Sequence, residues 1–142
     1  MLFDDRLATV LRSSATGERA RRTQLRQLLD LVGTASADAT SPALESAFER
    51  IDELSRAIPA RERADMIRDP GIRLANPRLV MVLVDQEAAV ASAAMASARL
   101  GSAEWLDLIP RLPVRARGLL RHRRDLSDGP DQIGRASCRE RV

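Results

Sequence analysis

Prolines at 42, 59, 70, 77, 110, 113 and 130 cut this 142-residue chain into short pieces, and within them apolar residues recur every three or four positions. Proline is excluded from helix interiors and central strands, so each one marks a boundary. A three-to-four spacing lines up side chains on one helical face, whereas a strand needs a period of two. Punctuation and period together specify an all-α protein of about eight short helices. Two architectures suit such a chain: an irregular HEAT-like helical repeat with two helices per unit, or a compact multi-helix bundle. No strict internal period chooses between them.

The piece "FDDRLATVLRSS" sets Phe3, Leu7, Val10 and Leu11 on one face, with Asp4 and Asp5 where a helix N-terminus favours negative charge. In "GERARRTQLRQLLDLVG" the stripe is Leu25, Leu28, Leu29 and Val32. Arg21, Arg22 and Arg26 fall outside it as a solvated face, and Gly33 reads as a C-terminal stop. These helices make residues 1–34 an N-terminal unit. The small polar residues of 35–41 cannot bury a core and read as a flexible loop.

Ser41 is an N-cap and Pro42 suits the first helical position, opening the stripe Leu44, Phe48, Ile51, Leu54 and Ile58. Pro59 begins a short charged helix whose Ala64 and Ile67 offer only a narrow apolar contact before Pro70 and Gly71 end it. Asn76 and Pro77 repeat the cap-and-proline pattern ahead of an unbroken apolar run, Leu79 to Val84. That run reads as a helix, because a strand here would have no second strand to pair with.

Asp85 is expected to cap a further helix running through Arg99. Alanines at 88, 89, 91, 93, 94, 96 and 98 would let neighbouring helices approach closely. Ser102 is expected to cap the next helix and to turn Trp105, Leu106 and Ile109 inward. Pro113 opens the last helix, "PVRARGLLRHRRDL", completing a helical-repeat region at 42–126.

Charge narrows the function. All 23 basic residues are arginine, which reflects GC-rich coding, and the formal net charge is only +3. Phe3, Phe48 and Trp105 are the whole aromatic set, too few for base-stacking platforms, so nucleic-acid binding is disfavoured. The N-terminus carries acids where a signal peptide needs bases, and no stretch reaches a membrane span, so a cytoplasmic location is expected.

No catalytic, cofactor or metal site is legible. His122 is the only histidine and Cys138 the only cysteine, and glycines fall singly rather than in a phosphate-cradling loop. The acids Glu45, Glu49, Asp52 and Glu53 read as the outer face of the third helix, pairing with Arg50 or Arg56. One constellation stands out in the last helix. Arg117, Arg121 and Arg124 fall within about 60° of helical arc, opposite Leu112, Ala116, Leu119 and Leu120. Such a stripe is either a partner-docking or phosphate-contacting face, or a solvated cap on the last repeat.

From Asn76 to Leu126, "NPRLVMVLVDQEAAVASAAMASARLGSAEWLDLIPRLPVRARGLLRHRRDL" resembles the HEAT-like helical regions at the N-termini of bacterial sensor histidine kinases and related signalling proteins. The opening "FDDRLATVLRSSATGERARRTQLRQLLDLVG" is similar to the start of such proteins. The resemblance implies a non-catalytic module whose kinase machinery lies downstream, with those domains or another protein as partner. His122 is followed by Arg123, Arg124, Asp125 and Leu126, which departs from the phosphoacceptor pattern of an acid and then a proline. The alternative is a small arginine-rich helical protein that binds nucleic acid or regulates transcription through Arg115, Arg117, Arg121, Arg123 and Arg124.

Residues 127–142 read as a disordered tail beyond Gly129 and Pro130. Within it, "IGRASCRERV", residues 133–142, back-translates in one frame to a short-read sequencing adapter. The reading is a fragment cut by an artefact, with no role for Cys138.

Overall fold

The computed structural model describes residues 2–12 and 16–120. Among them lie eight α-helices: α1 (Leu2–Arg12), α2 (Glu18–Gly33), α3 (Pro42–Ala57), α4 (Ala60–Arg68), α5 (Pro77–Val84), α6 (Ala88–Ser97), α7 (Ser102–Leu108) and α8 (Val114–Leu119). A single 3-10 turn, Ile109–Arg111, follows α7. The all-α expectation holds. The end of the last predicted helix, His122, Cys138 and the tail lie outside the described residues.

α1, α2 and α3 pack on one another, and α6 touches α4, α5 and α8. The pairing by twos is not strict, because α4 packs chiefly on α6 rather than on its chain neighbour α5. One continuous core joins the two groups, from Leu7 and Leu25 through Ile51 and Leu79 to Met95 and Leu108.

The predicted stripes of α2 and α3 are buried along their length. Ser41 Oγ accepts from the Leu44 N–H at 3.1 Å, and Asn76 Oδ1 from the Leu79 N–H at 3.0 Å, so both caps form as read. Asn76 also does something the sequence did not announce. It is buried, and its Nδ2 donates to the carbonyls of Ala35 and Ser36 at 3.1 and 3.2 Å. The stretch read as a flexible loop is thereby anchored, with Ala35 in the core.

Three boundaries differ from expectation. Asp85 closes α5 instead of capping α6, and the next helix starts after Glu87 and stops at Ser97. Ser102 is the first helical residue, preceded by Gly101, whose N–H donates to Glu104 Oε1 at 2.9 Å. The glutamate reaching back satisfies the N–H of the cap residue itself, while no side chain at that position caps the first turn. The buried pair on α7 is Trp105 and Leu108, three residues apart on one face, and Leu106 points outward.

α2 does end at Gly33, as read, but without a left-handed backbone there, and a Cβ on Gly33 would lie 2.1 Å from the Arg73 carbonyl oxygen. The segment after Gly71 runs extended between two helix ends. The Ala75 N–H donates to Gly33 O at 2.9 Å on one side, and the Arg99 N–H to Leu74 O at 2.8 Å on the other. Leu74 and Ala98 form an isolated parallel bridge there, and Ile72 and Leu74 are buried. This short tie fastens the C-terminus of α2 to that of α6.

Candidate functional site

The arginine stripe can be followed only at its first member. Arg117 is exposed on α8, and its guanidinium folds back, Nε donating to Leu112 O at 3.1 Å and Nη2 to Pro110 O at 3.2 Å. Arg121 and Arg124 lie outside the described residues. The opposite face is as read: Leu112 and Ala116 are buried, and Leu119 and Leu120 half-buried. Arg115 is also engaged, donating to Gln86 O at 2.7 Å and so tying α8 to the α5–α6 joint.

One polar cluster went unread in the sequence. Arg63 of α4 is the one buried charged side chain among the described residues. Its Nε donates to Ile58 O at 2.8 Å, its Nη1 to Gln86 Oε1 at 2.6 Å, and its two terminal nitrogens to both carboxylate oxygens of Glu87 at 2.9 and 2.8 Å. A guanidinium's planar fork matches a carboxylate in this way. A signal was available: position 63 lies on the same helical face as Ala64 and Ile67, so a side chain there had to be buried.

The hydrogen bonds from Arg63 hold the Glu87 carboxyl down from 4.5 to about 2. A carboxyl depressed in the folded state contributes stability above its ordinary value, and that contribution is lost as pH falls through the folded value. Arg78 lowers Glu45 and Arg26 lowers Asp69 in the same direction. Stability is therefore expected to be flat from neutral pH to roughly 5 and to fall between about 4.5 and 2. Urea denaturation across that range checks it, and Glu87→Gln should flatten the slope; an unchanged slope would contradict the assignment to Glu87.

Other arginines join helices. Arg22 pairs with Glu62 and Arg26 with Asp69, so part of the predicted solvated face of α2 bridges to α4. Arg56 pairs with Asp52 and Arg50 with Glu53, as read. Glu45 instead takes Arg78 of α5 in a two-pronged contact at 2.7 and 2.8 Å, with the guanidinium 3.9 Å above the Phe48 ring.

Arg78 also borders a groove of about 620 Å³ between α5 and α7. Ala37, Pro77, Met81 and Ala103 line it together with Glu104, Asp107 and Arg111. Two further grooves are more polar in their chemistry. One, about 330 Å³, lies between α1 and α2 beside Asp5, Arg6 and Asp30. The other, about 420 Å³, lies where α4 and α6 end, beside Arg68 and Arg99. Among the described residues no group of three His, Cys, Asp or Glu side chains is placed to hold a metal, and no helix is long and apolar enough to cross a membrane. None of the protein-family models, curated proteins or solved structures compared with this chain matches it.

Proposed function

We propose that the chain is a helical interaction module, the N-terminal non-catalytic part of a bacterial signalling protein whose parent is a sensor histidine kinase. The observation that supports the module is the α5–α7 groove, lined by apolar residues and by side chains of both charge signs. Grooves of this mixed lining suit protein partners. The parent rests on the resemblance of residues 76–126 to kinase N-terminal regions. An arginine face for nucleic acid is the weaker reading, because Arg115 and Arg117 donate to backbone carbonyls and so are not directed at phosphate.

Resequencing the source locus past the codon for Gln132 tests the parent. The expected result is an open frame continuing into a phosphoacceptor helix and a nucleotide-binding domain. A stop within a few codons, or an unrelated domain, would remove the kinase.

A further inference from the structure

Two arginines from distant parts of the chain meet at the joint between α5 and α6. Arg63 of α4 donates from Nε to the carbonyl of Ile58, the C-cap of α3, and from Nη1 to Gln86 Oε1 at 2.6 Å. Arg115 of α8 donates from Nη2 to the carbonyl of Val84, the last residue of α5, at 3.4 Å, and to Gln86 O at 2.7 Å. Terminal helix carbonyls lack partners within their own helix and carry partial negative charge, so a guanidinium is held there by charge as well as by hydrogen bonding. Each arginine thus caps one helix end and also grips Gln86, Arg63 by its side chain and Arg115 by its backbone. Gln86 is half-buried, and its Nε2 donates to the buried Ser55 Oγ of α3 at 3.4 Å.

Both α4 and α8 pack chiefly on α6, and Glu87, which immediately precedes α6, takes the remaining prongs of Arg63. A displacement of α4 therefore moves the joint to which Arg115 is fastened, and loss of α8 frees the same joint from the other side. We propose that the α5–α6 joint, centred on Gln86, is a coupling element that makes the docking of α8 depend on the seating of α4, and the reverse. Such coupling is reciprocal: a partner that displaces α4 loosens α8 by the factor by which undocking α8 loosens α4. The proposal goes beyond the interaction-module reading, because it concerns only contacts among the described helices.

Urea unfolding of Arg63→Ala, Arg115→Ala and the double variant tests it, with Arg117→Ala as control. Arg117 stands on the same helix but donates to Leu112 O and Pro110 O within its own segment. The unfolding constant of the Arg63 and Arg115 double variant should fall short of the product of the single effects by about threefold or more, because the first change has already weakened the contact that the second removes. Arg63 with Arg117 should give the product within about twofold. Gln86→Ala keeps the backbone carbonyl and repeats the test should a variant without Arg63 not fold; combined with Arg115→Ala it should also fall short of the product. Simple products for both Arg115 pairs overturn the proposal, and so do equal shortfalls with Arg115 and Arg117. Neither outcome bears on what lies beyond codon 132, so failure here and failure of the kinase parent are separately visible.

Discussion

Gly33→Ala is expected to destabilise the chain by about 3 kcal/mol, at the upper end of what overpacking costs. The added methyl would sit 2.1 Å from the Arg73 carbonyl oxygen and 3.1 Å from its carbon. Backbone cannot rotate aside as a side chain can. The tie is held on both flanks, by Ala75 to Gly33 and by Arg99 to Leu74, so moving it loosens the ends of α2 and α6 together. Gly118→Ala is the control: nothing lies within 4 Å of a Cβ there, and the site is in α8, where alanine stabilises by up to about 1 kcal/mol. Denaturant midpoints of the two variants check the contrast. Equal effects would mean that the tie does not approach α2 as closely as described.

Arg63→Ala should cost about 2 kcal/mol by a different route, lost packing and an orphaned carbonyl. The side chain is 5 % exposed while its partner Glu87 is 58 % exposed, so the two halves of the pair are not equivalent. Removing Arg63 deletes packing against α6 and leaves the Ile58 carbonyl without its donor, while the freed carboxylate returns to water. Removing Glu87 leaves a buried cation with only Gln86 and a carbonyl to face, an uncompensated charge. Both should exceed Arg56→Ala, whose ion pair with Asp52 is exposed and worth at most about 1 kcal/mol. Chemical denaturation of the three variants ranks them. If Arg63→Ala were no costlier than Arg56→Ala, the α4–α6 clasp would contribute nothing to stability.

The legible parts of this fold are those that local chemistry decides. Ser41 with Pro42 and Asn76 with Pro77 announce helix starts because cap and ring act on adjacent backbone, and Leu44 to Ile58 form a stripe because 3.6 residues make a turn. Contacts between distant segments were illegible. Nothing near Gly33 in the sequence says that residue 73 will lie against it, so the glycine read correctly as a stop but not as a point of close approach. Arg63 looked like its neighbours Arg61 and Arg68 until burial of the face shared with Ala64 and Ile67 set it apart.

The α7 boundary shows a third limit. A shift of one residue, from Ser102 to Gly101 as the cap position, accompanies a different inward set, Trp105 with Leu108, and leaves Leu106 in solvent. The arginine stripe followed from spacing alone. Its first member, Arg117, turns back onto carbonyls of its own chain, a contact that periodicity does not encode.

The central claim is that one helical frame, tied together where α2 and α6 end, carries the α5–α7 groove. Native-state amide hydrogen exchange of the full chain tests it most directly. The N–H groups of Ala75 and Arg99, which donate across that tie, should exchange as slowly as those in the middle of α2 and α3. Exchange there at the rate of an unprotected amide would contradict it.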